Sequence, residues 1–493
     1  MSHHQSPIMR NSTLSEVNKL RGDGPELSET TLDANNGRNR SPITEEKIDD
    51  VAPDGGYGWV CVACCFIINM HTWGVNSSYG VFLAHYLAVN TFPGATALEY
   101  AFVGGLSISM ALVISPLATK VVGKYGTKPA LSIGIVLETA GLLGASRTTQ
   151  IWHLFLSQGL AFGFGMGFLF VASVNIIPQW FDKRRSFANA IGAAGSGIGG
   201  LVYSLASNAM IQNISLGWAF RILAIVAAVV NTVCTLLLKD RNKAIGSKHL
   251  VFDIEILKRP EFLLVLGWGI FSMMGYVALL FSLPSYARTI RLTAQQGSLI
   301  GAMLNLGQGL GRPPVGYFSD AFGRMNMAGT CTFATGLFCL VIWIFAKSYG
   351  VLIFFSLLVG TVSGTFWATV APVCAEVVGL KDLPSALSML WIALVLPTTF
   401  AEPIALELRA SSGNIFLHAQ IFTGFMYVGA ALCMWFLRAW KIGSLKKLEE
   451  RKEPAQVGVI AGDDVSERPQ LQRHASRTST IQKASGLWSW QRV

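Results

Sequence analysis

Charge is scarce in this chain. Only 13% of its 493 residues are Asp, Glu, Lys or Arg and 52% are hydrophobic, against about 25% charged residues in soluble proteins. That balance excludes an ordinary soluble domain and points to an integral membrane protein. Apolar stretches are lacking in residues 1–57, so no cleavable signal peptide is expected there. Those residues, and the segment from about Lys441, are expected to be disordered. Enzyme signatures are also missing, with no Walker lysine, no zinc-ligand spacing and no G-x-S-x-G elbow. Gly195-Ser-Gly197-Ile-Gly199-Gly200 satisfies G-x-G-x-x-G. It lies inside an apolar helical stretch, however, with Met210 and Ile211 where a dinucleotide site needs an acid. The eight cysteines lie in apolar stretches with no cluster outside them. This excludes a disulfide framework, and Cys61-x-x-Cys64-Cys65 lacks partner ligands for a metal. No enzymatic activity, cofactor or metal is expected. The net charge of +10 follows membrane orientation and is no nucleic-acid signature.

What is present is long apolar runs. Twelve stretches of about 18–24 residues, each enough to cross a ~30 Å hydrocarbon core, fall near 58–82, 98–119, 129–146, 151–174, 187–208, 217–238, 262–285, 296–318, 327–346, 350–371, 384–405 and 417–439. The widest interior polar gap, 239–261, divides them six and six. The expected fold is an all-α membrane protein, with twelve transmembrane helices in two six-helix halves. The expected organisation is a tail (1–57), a first half (58–238), a central loop (239–261), a second half (262–440) and a tail (441–493). Loops after even-numbered stretches carry Lys120, Lys124, Lys128, Lys183, Arg184, Arg185, Lys239, Arg241, Arg324 and others. The loops after the first and fifth carry no cation. Positive charge stays inside, so both termini are expected in the cytosol. Small residues at four-residue spacing (Ala188, Gly192, Ser196, Gly200; Gly159, Gly163, Gly167) predict close helix seams.

The most informative stretch is Asn305–Arg324, NLGQGLGRPPVGYFSDAFGR. Arg312 sits in an apolar segment, where a cation costs at least ~2.5–3.5 kcal/mol. Asn305, Gln308 and Arg312 share one helical face, which must turn to protein or water. Two readings stand: Arg312 snorkels or pairs with a structural acid, or it lines a solute path and faces a negative substrate group. Pro313 and Pro314 predict a kink. The following Gly316 to Arg324 predicts a tight polar turn. It matches the loop Ser115–Lys120, Tyr125–Lys128 in the first half, as expected of two parallel halves.

These residues resemble the major facilitator superfamily. Gly316, Asp320, Gly323 and Arg324 fit its G-x-x-x-D-x-x-G-R loop, while the first copy is degenerate at Ser115 and Thr119. Pro53-Asp54-Gly55-Gly56-Tyr57-Gly58-Trp59 is similar to the signature leading into span 1 of the monocarboxylate transporter family. Gln179–Ala190 and Glu376–Leu387 are similar to its stretches before spans 5 and 11, and the polar tails resemble fungal members. Asp54 is expected to cap the N-terminus of span 1, with Gly55 and Gly56 allowing the turn and Trp59 anchoring at the interface. The resemblance implies that Arg312 binds a substrate carboxylate, which suits a bidentate guanidinium. It also implies that Asp320, Arg324 and Glu376 belong to a gating motif. Two positions depart from the lactate and pyruvate carriers: Gln308 stands for an aspartate, and Ser77 for a span 1 lysine. Proton–lactate symport is thereby in doubt.

At 100° per residue Trp73, Asn76, Ser77 and Gly80 share one face of span 1. His71 lies nearly opposite, facing a neighbouring helix. The superfamily pattern adds Asn175, Tyr276, Phe366 and Trp367 as path candidates. The expected function is secondary active transport of a small organic anion, in first place a monocarboxylate, at the plasma membrane, with protons as a candidate co-substrate. A larger or neutral solute, an exporter, a vacuolar address and a non-transporting nutrient sensor are the alternatives. The sequence is silent on accessory subunits.

Overall fold

The structure, a computed structural model, describes residues 52–250, 252–410 and 414–460. Among the described residues there are helices and turns but no strand. Twelve long helical spans follow in chain order: Gly58–Tyr86, Phe102–Tyr125, Thr127–Ala145, Ile151–Trp180, Arg185–Asn213, Leu216–Leu237, Pro260–Thr289, Ala294–Phe322, Arg324–Phe345, Tyr349–Val378, Leu383–Glu407 and Leu417–Lys447, here spans 1 to 12. Eleven are long and apolar enough to cross a membrane. The other is span 8, whose 29 residues include Asn305, Gln308 and Arg312. The helix that looks least like a membrane span is thus the one carrying the buried Arg312.

Several spans are broken where polar or small residues interrupt the ladder. Span 1 breaks at Thr72 (φ −99°, ψ −82°) and again at Ser78. The Thr72 hydroxyl donates to Ile68 O at 2.7 Å and that of Ser78 to Val75 O at 2.7 Å, a back-bonding that bends helices. Span 4 holds a π-helical turn at Phe155–Ala161 and breaks at Asn175, before Pro178. Span 10 breaks at Gly364. Span 8, by contrast, runs unbroken through Pro313 and Pro314 to Phe322. The tight turn expected from Gly316 onward is therefore two further turns of helix, and the chain reverses only at Gly323 (φ 106°). Just past the prolines the helix packs tightly on span 5: a Cβ on Gly316 would lie 2.6 Å from Ser186 O.

The expected tails are shorter than their composition suggests. Ala52–Tyr57 is ordered by Asp54 (below), and the last helix continues to Ile460. Buried Ile442 and a 3.1 Å bond from Lys441 Nζ to Glu376 O anchor it past residue 440. Residues 1–51 and 461–493 lie outside the described residues.

Three apolar cores set the shape. One, around Tyr79, Phe82, Tyr86, Phe162 and Phe220, draws only on spans 1 to 6. A second, around Leu279, Tyr286, Leu304, Trp343 and Phe355, draws only on spans 7 to 12. The third is common to both halves and joins Cys61, Val62, Phe181 and Ala188 to Phe366, Val370, Cys374, Leu387 and Trp391. The shared core lies at the end of the bundle where span 1 begins, here the Gly58 face. At the far face each half keeps its own core. The halves therefore close on the Gly58 face and part toward the far one.

Glycines set how close they come. A Cβ on Gly197 of span 5 would lie 2.5 Å from Gly309 N and 2.7 Å from Asn305 O of span 8. The backbones of spans 5 and 8 touch there, as small-residue seams allow. The Gly159/Gly163/Gly167 row packs on span 2, against Leu106, Ser107 O and Ala111 O.

Candidate functional site

A cavity of about 380 Å³ lies between the halves, walled by spans 1, 2, 4, 5, 7, 8, 10 and 11. It reaches the exposed Arg288 and Ser298 near the far face and descends to Cys65, Ile177 and Asn189. Among the described residues, its lining holds two side chains of full charge, Arg288 and Arg312, and no carboxylate.

Arg312 is 2% exposed. Its Nη1 donates to Ala193 O and to the Ser196 hydroxyl, each at 2.5 Å, across the span 5 contact. Its Nη2 donates to Gln308 Oε1 at 2.8 Å, and the Tyr276 hydroxyl donates to the same oxygen at 3.0 Å. Gly364 leaves room for the guanidinium, since a Cβ there would lie 2.6 Å from Arg312 Nε. The ion pairs among the described residues do not include Arg312. Its charge meets only neutral dipoles, and a buried charge without an opposite one is costly. Arg312 Nε, Gln308 Nε2 and Trp73 Nε1 are buried with no hydrogen-bond partner. All three are donors, so the site offers hydrogens and asks for acceptors.

Four spans contribute a wall of rings beside this node. Trp73 (span 1), Phe170 (span 4), Tyr276 (span 7) and Trp367 (span 10) all line the cavity. Trp73 lies 5.1 Å from Trp367 and 5.3 Å from Phe170, and Tyr276 lies 6.4 Å from Trp367, centroid to centroid. Trp391 backs the wall, stacked on Trp367 at 5.8 Å and 15°.

Below the rings the Gly58 face is tied shut. The Asp320 carboxylate accepts from Ser186 N at 3.0 Å and Phe187 N at 2.8 Å, the first amides of span 5, where a helix end favours an anion. Arg324 pairs with Asp320 at 3.3 Å and with Glu376 at 2.7 Å, and donates to Asp182 O at 2.5 Å. Asn189 Nδ2 donates to Ala368 O at 2.7 Å, joining span 5 to span 10. The Ser115 hydroxyl donates to Ser388 O at 3.3 Å, joining spans 2 and 11.

Two separate cores with a shared base and a central cavity between two six-helix halves are what a two-half carrier requires. The sequence matches the family model for the Major Facilitator Superfamily over residues 61–304 and 268–477. The chain belongs to the Major Facilitator Superfamily. Among the proteins it is similar to, the Saccharomyces cerevisiae protein named "Probable transporter MCH2" is 36% identical over 397 residues, 79% of this chain and 84% of that one. "Uncharacterized transporter ESBP6" of the same yeast is 33% identical over 82% of this chain and 62% of its own. The "Fujikurins efflux protein" of Gibberella fujikuroi is 25% identical over 78% and 84%.

In this superfamily member the cavity brings together Arg312, Asn305, Asn76, Ser77 and Trp73, with Tyr276 and Trp367. Asn76 Oδ1 accepts from the Ser107 hydroxyl at 2.6 Å, and the Ser77 hydroxyl turns back to Trp73 O at 2.9 Å. Gln308 is set behind Arg312 and orients it. Three expected residues, Gln308, Asn175 and Phe366, stand off the cavity. Asn175, at the span 4 break, donates to Val171 O at 3.3 Å. Phe366 is buried against Trp268 at 4.8 Å, because one residue from Trp367 is a 100° turn away. His71 packs its ring edge on Tyr203 at 5.6 Å, away from the cavity.

Asp54 is tied to a different helix from the one expected. The first turn of span 1 has Tyr57 at its cap with no side-chain bond. Asp54 (φ 52°) instead accepts from Asp182 N at 2.7 Å and Lys183 N at 2.9 Å, in the turn before span 5. Gly56 (φ 59°) allows the chain to fold back, and Trp59 packs on Phe181 at 4.9 Å. Sequence reasoning missed Asn69, Ser196 and Arg288 as lining residues. Asn69 was within reach: it lies one turn before Trp73 on the same face. Arg288 lies just beyond the expected seventh stretch, 262–285.

Proposed function

We propose that this transporter-family protein moves a small organic anion, a monocarboxylate in first place, by alternating access between its two halves. The carrying observation is the cavity: two arginines, no carboxylate, and a buried guanidinium facing only dipoles. A carboxylate supplies the missing charge and the acceptor oxygens for the Arg312 and Trp73 donors. The lysine and arginine bias of the even loops makes the Gly58 face, with both termini, cytosolic. The shape is then the outward-open state, with Asp320, Arg324 and Glu376 as the inner gate and the plasma membrane as its address. With Gln308 one turn before Arg312, a proton travelling with the anion is carried elsewhere than at that position. A second reading, export of a larger anion, is favoured by the cavity volume and by a relative named for efflux.

The test is uptake of labelled short monocarboxylates into cells lacking their own carriers, at pH 5 and pH 7, with wild type beside Arg312→Gln. Arginine-dependent uptake is the expected result, and a rise at pH 5 adds proton coupling. Normal uptake by a well-expressed Arg312→Gln protein ends the anion reading.

A further inference from the structure

Taking the anion reading of Arg312 as its base, we infer that the cavity is shaped for a carboxylate bearing an aromatic ring, with the ring seated on the Trp73–Phe170–Trp367–Tyr276 wall. A three-carbon acid does not fill the space. About 380 Å³ is the liquid volume of roughly a dozen waters at ~30 Å³ each. Propionate has five heavy atoms. Held by its carboxylate at Arg312, it leaves the rings facing water, which wastes the apolar area they offer.

Position and chemistry both favour a ring as the second part of the ligand. The wall begins where the cation ends. Arg312 bonds Gln308, Gln308 accepts from Tyr276, and the Tyr276 ring meets Trp367 at 6.4 Å. Carboxylate and ring sites are thus neighbours along one line of contacts. The ring planes are varied, with Trp73 at 47° to Trp367 and 85° to Phe170. That presents both faces and edges, the offset and edge-on partners that aromatic rings prefer. The Trp73 indole N–H is buried without a partner, so one donor of the wall is left unsatisfied. Trp391 stacks behind Trp367 and holds that ring in place, so the slot is formed before the ligand arrives.

The experiment uses the full-length purified protein in detergent and measures Kd by calorimetry for four probes: 3-phenylpropionate, hexanoate, propionate and 3-phenylpropan-1-ol. The expected order puts 3-phenylpropionate at least tenfold tighter than hexanoate and further ahead of propionate, with the neutral alcohol weak. Arg312→Gln is expected to abolish the acid's advantage over the alcohol. Trp367→Leu is expected to bring 3-phenylpropionate to within about threefold of hexanoate. Equal binding of 3-phenylpropionate and hexanoate by wild type overturns the ring slot while leaving the anion reading intact, and assigns the rings to closure of the path. Binding of the alcohol as tight as that of the acid overturns the anion reading. Binding of none of the four overturns both. The wild-type series decides these outcomes even where a variant fails to fold.

Discussion

Replacing Asp320 by Asn tests the proposed inner gate most directly. In the structure this carboxylate holds two amides at the start of span 5, at 3.0 and 2.8 Å, and the Arg324 guanidinium at 3.3 Å. Asparagine keeps one acceptor oxygen and turns an amide N–H₂ toward the remaining donors. One charge-assisted bond to the helix start and the pairing with Arg324 are lost together. Bonds to charged groups contribute about 1.5–3 kcal/mol each, and part of this returns as Arg324 keeps Glu376 at 2.7 Å and Asp182 O. A net loss of about 2–3 kcal/mol is expected, which at ~1.4 kcal/mol per decade shifts the closed-to-open ratio at this face by roughly 30- to 150-fold. The assay is spin-label distance measurement between Lys183→Cys and Lys381→Cys, exposed sites on opposite halves of the Gly58 face. Wild type is expected to give one short distance. Asp320→Asn is expected to add a longer population that dominates. A folded Asp320→Asn protein with the wild-type distance distribution would refute the assignment of this network to gating.

Three further outcomes follow from named contacts. Asp54→Ala removes the acceptor for Asp182 N and Lys183 N, and, like loss of a cap, is expected to lower stability by about 1–2 kcal/mol, read as a lower Tm with substrate KM unchanged. Gly197→Leu is expected to abolish transport in protein that still inserts, because its Cβ would lie 2.5 Å from Gly309 N, whereas Gly350→Ala, with open space around it, is expected to be silent in the same uptake assay. The linker strap Lys248–Leu250 is bonded to the start of span 11 by Lys248 N to Lys381 O at 2.8 Å, by Leu250 N to the Ser385 hydroxyl at 3.0 Å, and by the Lys248–Asp382 pair at 3.1 Å. Burial of His249 under Gly123 holds its imidazole below the ordinary 6.5, with Asp240 pulling the other way and Lys120, Lys124 and Lys248 lying alongside. The loosened strap binds a proton more readily, so its docking is firm above pH 6.5 and weakens as pH falls below it. Protease cleavage in 240–252 is expected to quicken at pH 5.5 over pH 7.5 in wild type and to lose that dependence in His249→Gln.

Where sequence and structure part is instructive at single residues. Span 8 was legible through its polar face at Asn305, Gln308 and Arg312, because a helix turns residues three and four apart to one side whatever its surroundings. The length of that helix was not: prolines and a G-x-x-x-D-x-x-G-R motif read as kink and turn, whereas the helix runs to Phe322, packed closely on span 5 at Gly316. Of the two neighbouring rings offered as path candidates, Trp367 lines the cavity and Phe366 does not, since the choice of face at the span 10 break depends on Gly364 and on what packs there. Asp54 shows the same limit. Its sequence neighbours suggest a cap for span 1, yet its partners are amides more than 120 residues away in the chain.

The sequence by itself determined that the chain lives in a bilayer, spans it twelve times and carries a buried arginine, because hydrophobicity, length and charge act locally along the chain. The tertiary structure decided which side of each helix meets the cavity, that Arg312 has dipoles rather than an acid beside it, and which face is shut. Those depend on pairs of residues brought together across the bundle, and no local pattern encodes the identity of a distant partner.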